Sequence, residues 1–296
     1  MTRVNTLSRA SEVSSPFVQC ANKVLTLASP RIMAILNITP DSFYDGGKFL
    51  TKELALSHVE TMIEQGADII DIGAESSRPY SKSISLQEEI ERLMEMLIAI
   101  KYRFDILISV DTYKPLVIRE AIKQGVHIIN DIYALQSPGA LEELLDNNVA
   151  ICLMHMQGVP QTMQDQPAYS NVVQDVGEFL HERVRRCLNA GLDRNRIIID
   201  PGFGFGKTTD HNMTLLQNLH QFKKLGLPIL VGLSRKASVG ELLSLPVEER
   251  LYGSLAAHII ATIHGASIIR THDIKPTAEA LKIAEAVLVQ GTLEWQ

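Results

Sequence analysis

The chain alternates between short apolar runs and segments with helical spacing, and eight of the apolar runs end in a polar side chain. The run Ile197 to Ile199, for example, is β-branched throughout, stops at Asp200 and leads into a glycine-rich loop. Such a run is typical of a strand buried on both faces of a parallel sheet. Eight alternations within 296 residues, without an internal linker, predict a single-domain TIM (β/α)8 barrel. A doubly wound sheet is the alternative, but the amino-terminal GxGxxG that usually accompanies it is absent.

The polar residues at the strand ends indicate an active site. In a TIM barrel the carboxyl ends of all strands meet on one face, where enzymes with this fold bind their ligands. A single polar residue at such a position could be a turn cap or a core hydrogen bond, but coincidence does not account for a full set. In chain order the residues are Asn37, Asp71, Asp111, Asn130, His155, Asp200, Lys236 and Arg270 with His272.

The chemistry of this set suggests a ligand with a nitrogen-rich ring and a phosphate group. Asp111, Asn130 and Asp200 suit a heterocycle with several N–H donors, because each carboxylate accepts a pair of hydrogen bonds. A cationic group suits phosphate or pyrophosphate. It consists of Lys236, Arg270 and His272.

Other residues of the set keep two interpretations. Asn37 offers an oxygen ligand for a hard cation such as Mg²⁺, which often bridges phosphates. His155 is more simply interpreted as a hydrogen-bonded structural histidine, and Asp71 as a residue that orients its neighbours. The histidines inside predicted elements are also interpreted as structural. These are His58, His127 and His258.

The glycine-rich loop after Asp200 is not a phosphate-binding P-loop. Counting back from Gly206, Lys207 and Thr208, the first glycine that a P-loop requires falls on Pro201. The loop is either a ligand-binding segment or a flexible connection in which Asp200 caps a turn.

Composition excludes several other classes of protein. The net charge of −6, the absence of a lysine-arginine run and the 5% aromatic content argue against a nucleic-acid-binding surface. Three widely spaced cysteines without a CxxC argue against a disulfide framework or a zinc site and fit a reducing compartment. No apolar run reaches membrane-spanning length. We therefore predict a cytoplasmic protein with a loose amino-terminal tail over residues 1–24 and a barrel domain over 25–293.

From about residue 31 to 290 the chain resembles the dihydropteroate synthase family. The motifs that carry the resemblance are Ala34 to Phe43 with Asp45 to Gly47, Asp71 to Pro79, Ser109 to Thr112, Ile129 to Asp131, Asp200 to Lys207, Leu233 to Lys236 and Arg270 to Asp273. The resemblance implies a TIM barrel, usually homodimeric, that is a sulfonamide target in folate synthesis. It also implies a reaction in which 6-hydroxymethyl-7,8-dihydropterin pyrophosphate and p-aminobenzoate form 7,8-dihydropteroate and release pyrophosphate.

The resemblance also implies residue roles. Asp111, Asp200 and Lys236 are expected to be catalytic, and together with Asn130 they form the pterin-binding set. The expected pyrophosphate residues are Arg270, His272 and Asn37, and Asn37 is also the expected Mg²⁺ ligand. The expected p-aminobenzoate residues are Phe43, Ser77, Arg78, Pro79 and Phe205. Phe205 lies on the loop after Asp200, and the others lie on two loops that we expect to close over the bound pterin.

The sequence departs from the family at three positions of interest. Ala74 replaces the usual Gly, which is expected to stiffen the second loop, and Ser77 replaces Thr while keeping the hydroxyl. Ala237 stands where a Ser often helps to hold the substrate carboxylate, a task that backbone N–H groups at a helix start can also perform.

Two functions of other kinds compete with this one. A non-catalytic pterin-binding protein, or the pterin domain of a methyltransferase, would share the barrel and the Asp/Asn set. Such a protein has no use for Ser77, Arg78 and Pro79, or for Arg270 together with His272. A sugar-phosphate aldolase barrel would need a Schiff-base lysine or a metal cluster, and Lys236 alone supports it weakly.

Overall fold

The computed structural model describes residues 16–38, 48–74, 85–160 and 162–290. A short antiparallel hairpin, β1 (Phe17–Cys20) and β2 (Lys23–Thr26), precedes an eight-stranded parallel sheet. The sheet strands are β3 (Arg31–Asn37), β4 (Ile69–Gly73), β5 (Leu107–Asp111), β6 (Ile128–Asp131), β7 (Ala150–Met154), β8 (Ile197–Asp200), β9 (Leu230–Val231) and β10 (Ile268–Thr271). β10 pairs with both β3 and β9, and the parallel bridge between Ile199 and Ile229 closes the ring. The predicted TIM barrel is confirmed.

The helices follow the strands as the alternation predicts, with two differences. They are α1 (Lys48–Glu64), α2 (Leu86–Arg103), α3 (Pro115–Lys123), α4 (Val172–Asn189), α5 (Thr209–Gln217), α6 (Ala237–Leu243), α7 (Leu251–Ile263) and α8 (Ile274–Gln290). A 3-10 turn, Glu142–Leu144, stands in place of a helix between β6 and β7, and two helices, α6 and α7, lie between β9 and β10 where strict alternation predicts one. No helix in the described ranges is long and apolar enough to cross a membrane.

Helix starts and ends follow local sequence signals. At the start of α2, Ser85 Oγ accepts a hydrogen bond from the backbone N–H of Glu88. Acidic residues lie in the first turn of this helix and basic residues in its last, as the helix dipole favours. Pro115 occupies the first turn of α3, where its missing N–H costs nothing.

Alternate residues along each strand face opposite sides of the barrel wall. On β4, Ile70 and Ile72 pack outward in the core between strands and helices, while Ile69 belongs to the barrel interior. Asp71 lies between Ile70 and Ile72, so the period-two alternation of a strand directs its side chain inward. The barrel interior is therefore apolar at its amino-terminal end and polar toward the strand carboxyl ends.

The amino-terminal hairpin closes the apolar end of the barrel. Val18, Cys20, Leu25 and Leu27 are buried in one cluster with interior residues of the strands, including Met33. The expectation of a loose tail over residues 1–24 is therefore wrong for 16–24. The physical reason is that the amino-terminal end of the barrel exposes apolar surface that a short hairpin can cover, and covering this surface is favourable.

The three cysteines are buried and unpaired. Burial raises the pKa of Cys20 to about 12 and that of Cys187 to about 11, and it also raises the pKa of Cys152 well above its ordinary value. All three thiols are therefore un-ionised at neutral pH and unsuited to act as nucleophiles.

Candidate active site

Four of the polar residues at the strand ends form one hydrogen-bonded network. Arg270 on β10 donates from Nε to Asp71 Oδ2 at 2.7 Å and from Nη2 to Asp111 Oδ2 at 2.9 Å. Asn130 on β6 donates from Nδ2 to the same Asp71 Oδ2 at 3.2 Å. Asp71 is fully buried, whereas Arg270 and Asp111 are partly exposed. The structure thus brings residues from four strands together at the polar end of the barrel.

Burial places the acid–base equilibria of two carboxyl groups in this region near neutral pH. It raises the pKa of Asp111 to about 7, against the opposing effect of the Arg270 guanidinium and with a contribution from neighbouring carboxylates. It raises the pKa of Asp200 to about 6, and a backbone N–H, Lys236 and Lys207 oppose that rise. Above these pKa values both groups are ionised and accept hydrogen bonds without donating any, and in that form they suit a ring with N–H donors.

The glycine-rich loop folds tightly against the segment after β7. Gly202 donates its backbone N–H to Asp200 Oδ1 at 2.7 Å, which is the turn cap that one of the two sequence interpretations described. Gly202 has φ of +71°, and a Cβ there would lie 1.9 Å from the carbonyl oxygen of His155. A Cβ at Gly206 would similarly lie 2.4 Å from the carbonyl oxygen of Gln157. Only glycine permits this close approach, so the loop is a shaped segment rather than a loose connection.

Lys207 holds the glycine-rich loop in place through hydrogen bonds, a role that was not predicted from the sequence. Its buried Nζ donates to the carbonyl oxygens of Gly202 at 2.8 Å and Phe205 at 3.1 Å and lies 2.9 Å from His155 Nδ1. Burial lowers the pKa of Lys207 to about 7, while the acceptors around Nζ and the nearby Asp200 favour the charged form. The one sequence signal was a lysine directly after three glycines spaced two residues apart, in a segment that fails as a P-loop.

Three histidines of the described residues are buried and contact other protein groups, as structural histidines do, whereas His58 is exposed on α1. Burial lowers the pKa of His155 to about 2, so its ring is neutral and its Nδ1 accepts from Lys207. His127 Nδ1 accepts from the backbone N–H of Ile108 at 3.0 Å, and its pKa is lowered to about 4. His258 is also buried, with its Nδ1 3.5 Å from Thr277 Oγ1.

Lys236 lies beside the glycine-rich loop. Its Nζ is 4.3 Å from the centre of the Phe205 ring, a cation–π contact. Its backbone forms the amino-terminal cap of α6, which begins at Ala237. Gly204 approaches the Lys236 side chain so closely that a Cβ there would lie 3.2 Å from its Cδ. Two residues predicted for different substrates, Lys236 for pterin and Phe205 for p-aminobenzoate, therefore meet.

The remaining cationic residue, His272, lies on the loop after β10. Its Nδ1 is 3.1 Å from Ser234 Oγ, and the same hydroxyl accepts the backbone N–H of His272 at 3.2 Å. Beside it Arg235 and Asp273 form a salt bridge of 2.7 Å, which joins the loops after β9 and β10. The imidazole is therefore held at the end of the strand that carries Arg270.

Several predicted positions lie outside the described residues. They are Phe43, Ser77, Arg78 and Pro79. Of the departures from the family pattern, Ala74 is buried, and it is not among the described non-glycine residues with positive φ. Its backbone conformation therefore does not require the glycine that the family usually has.

Comparison with known proteins gives a consistent result. The sequence profile of the family described as pterin binding enzyme matches residues 33–272. The dihydropteroate synthase of Haemophilus influenzae is 51% identical over 265 residues, which are 90% of this chain and 96% of that protein. The dihydropteroate synthase of Escherichia coli K12 is 49% identical over 89% of this chain and 94% of that protein.

Solved structures agree in fold. Yersinia pestis dihydropteroate synthase in complex with a sulfonamide drug has a TM-score of 0.87 and 45% identity, covering 92% of this chain and 99% of that one. Xanthomonas albilineans dihydropteroate synthase in complex with 7,8-dihydropteroate has a TM-score of 0.84 and 42% identity, covering 92% and 99%. The same enzyme with 4-aminobenzoic acid has a TM-score of 0.87 and 45% identity, covering 93% and 98%.

Proposed function

This chain belongs to the pterin-binding enzyme family and is similar to dihydropteroate synthases over most of its length, and on that premise we propose that it makes 7,8-dihydropteroate. The reaction joins 6-hydroxymethyl-7,8-dihydropterin pyrophosphate to p-aminobenzoate and releases pyrophosphate. The observation that carries the proposal is the hydrogen-bonded network in which Arg270 binds Asp71 and Asp111 and Asn130 binds Asp71. It provides carboxylate, amide and guanidinium groups at the barrel end where such enzymes bind substrate.

The pterin ring is proposed to lie against Asp111, Asn130, Asp200 and Lys236. A carboxylate suits the adjacent N–H donors of a 2-amino-4-oxo ring, and an ammonium suits its carbonyl oxygen. The burial of Asp200 and Asn130 strengthens such bonds, because water does not compete for the donors. Lys207 is proposed to support this site indirectly, by holding the loop that follows Asp200.

The pyrophosphate is proposed to leave before the arylamine attacks. The bond between the methylene carbon and the ester oxygen of the pyrophosphate breaks, and both electrons go to that oxygen. Arg270 and His272 are proposed to bind the departing anion, while Asp111 and Asp200 stabilise the positive charge that develops in the ring. The nitrogen lone pair of p-aminobenzoate then forms the new C–N bond, and the amine loses a proton. No step needs a nucleophilic side chain.

Mg²⁺ is proposed to bind at the phosphate end through Asn37. Asn37 ends β3, is partly buried and pairs in register with Gly73 of β4. The described residues contain no group of three or more His, Cys, Asp or Glu side chains placed to hold a metal. This donor set fits a cation bound by one protein oxygen and otherwise by phosphate and water oxygens, as is common for Mg²⁺. When bound, the ion would neutralise charge on the leaving group.

We further propose that the enzyme is a cytoplasmic homodimer that associates through α7 and α8. An apolar groove of about 440 Å³ runs between these helices, and Ile283, which lines it, is 71% exposed. Exposed apolar surface of this kind is typical of an interface. The groove is lined by Ile259, Ile263, Ala280, Ile283, Ala284, Val287 and Leu288.

The decisive experiment measures pyrophosphate release by the purified protein with both substrates. We expect release that requires p-aminobenzoate and Mg²⁺ and that yields 7,8-dihydropteroate in equal amount. A protein that binds the pterin but releases no pyrophosphate would be the non-catalytic pterin-binding alternative. Chelation of Mg²⁺ without any effect on the rate would contradict the metal assignment alone.

A further inference from the structure

Asp71 determines which way the Asn130 amide points. The Asp71 side chain is completely buried and is hydrogen bonded to protein groups through a single oxygen. That oxygen, Oδ2, accepts from Arg270 Nε at 2.7 Å and from Asn130 Nδ2 at 3.2 Å. A carboxylate paired with a guanidinium accepts hydrogen bonds and does not donate them. The amide of Asn130 must therefore present Nδ2 to Asp71, and its Oδ1 must point elsewhere.

An amide held in this way offers a defined pattern to a ligand. Asn130 has one further N–H on Nδ2 and the acceptor Oδ1 available for other partners. The edge of a 7,8-dihydropterin that carries N1 and N8 presents an acceptor beside an N–H donor, which matches that pattern. In the fully oxidised pterin N8 carries no hydrogen, so two acceptors stand on that edge. An amide that flipped to suit the oxidised ring would turn its oxygen toward the carboxylate of Asp71.

Resting on the proposed function, we propose that Asp71 is a positioning residue that makes this site select the reduced ring. It acts through Asn130 and does not itself contact the ring. Asp111, Asp200 and Lys236 are assigned in this proposal to ring groups other than N8. The selectivity for oxidation state is therefore assigned to the pair of Asp71 and Asn130.

Two substitutions separate the orienting effect of Asp71 from its charge. In Asp71→Asn the amide oxygen replaces Oδ2 and still accepts from Asn130 and Arg270. Its NH₂ group takes the place of Oδ1, which has no hydrogen-bond partner among the described residues. On the neighbouring strand β5, Ser109 pairs in register with Asp71. In Asp71→Leu the branching at Cγ is kept but no acceptor remains, so the Asn130 amide is free to turn.

The test compares the affinities of two small ligands, 6-hydroxymethyl-7,8-dihydropterin and its oxidised form, 6-hydroxymethylpterin, by anaerobic calorimetry. We expect the wild-type protein to bind the reduced ring at least about tenfold more tightly, the size of one net hydrogen bond in a buried site. Asp71→Asn should keep this ratio even if both affinities fall, whereas Asp71→Leu should bring it close to one. Ser109→Ala, which removes a buried hydroxyl from the neighbouring strand, should keep the ratio.

Equal affinity of the wild-type protein for the two rings would overturn the proposal without any variant. If Asp71→Leu still binds the reduced ring more tightly than the oxidised ring, the proposal is also overturned, and the N8 contact is assigned to Asp111 instead. If Asp71→Leu does not fold, the smaller Asp71→Ala makes the same comparison. Because ring affinity is measured without turnover, a failed proposal here is distinct from a failure of the proposed catalytic activity.

Discussion

The guanidinium of Arg270 binds the carboxylate of Asp111, with 2.9 Å between Nη2 and Oδ2. From the sequence, these residues are expected at opposite ends of the substrate, Arg270 at the pyrophosphate and Asp111 at the ring. Because the two side chains are in contact, a substitution at one end of the substrate site also affects the other end. In particular, the positive charge of Arg270 opposes the rise in the pKa of Asp111 that burial causes.

We predict that Arg270→Ala and His272→Ala have different effects. Arg270→Ala should weaken binding of both the pterin pyrophosphate and the free hydroxymethylpterin, because Asp71 and Asp111 lose their cation. His272→Ala should weaken only the pyrophosphate ester, by about 1.5–3 kcal/mol for lost charged hydrogen bonds. Calorimetry with both ligands checks this, with the exposed Arg185→Ala as control. Equal losses for both ligands in the His272 variant would contradict the assignment.

Asp200→Asn should reduce affinity for the pterin substrate by roughly 2–4 kcal/mol, because a buried charged acceptor is replaced by a neutral amide. The variant keeps an oxygen that can accept the N–H of Gly202, so the loop should remain folded. The measurement is equilibrium binding of the pterin, with Asp210→Asn on the exposed first turn of α5 as the matched control. Near-native affinity would show that Asp200 only caps the turn.

Pterin affinity should rise with pH between 5 and 8. Burial raises the pKa of Asp200 to about 6 and that of Asp111 to about 7. Below these values each group is protonated and has lost acceptor capacity; above them it is the ionised acceptor, so affinity grows as pH increases. We expect binding at pH 5 to be at least about tenfold weaker than at pH 8. In Asp200→Asn only the part of the rise due to Asp111 should remain, and a flat wild-type profile would contradict both assignments.

Lys207→Met should destabilise the protein by roughly 2–4 kcal/mol, because buried carbonyl oxygens lose their donor. The acceptors concerned include those of Gly202 and Phe205. Denaturant unfolding followed by circular dichroism measures the loss. Lys224→Met, on the exposed surface, should change the unfolding free energy little. Similar unfolding midpoints for the two variants would mean that the loop does not depend on Lys207.

Ile283→Glu should convert the proposed dimer to monomers. The substitution places a charge on the most exposed large side chain of the groove between α7 and α8, where dimerisation would bury it. Sedimentation velocity over a range of concentrations checks the result. Ile98→Glu, at a 50% exposed position on α2, is the control and should leave the dimer intact. A wild-type protein that is monomeric at all concentrations would refute the interface.

Local signals were sufficient to predict the order of elements and most of the polar face. The apolar β-branched run Ile197 to Ile199 forms a buried strand, as is typical of such runs in a parallel sheet that is covered on both faces. A polar residue such as Asp200 that ends such a run lies at the carboxyl end of its strand in any parallel barrel. The identities of the polar residues then suggested the ring and phosphate chemistry. The positions of Asp111 and Asn130 on adjacent strands follow from the same reasoning.

Tertiary structure alone decided which of these residues touch. The bond between Asp71 and Arg270 joins positions 199 residues apart, and it exists because β10 pairs with β3 to close the ring. No local pattern encodes such a contact, since it depends on the geometry of the closed barrel. The amino-terminal hairpin also depends on the closed barrel, because its four-residue strands have little apolar surface of their own. They fold because the barrel presents a large apolar opening, and that opening exists only once all eight strands are in place.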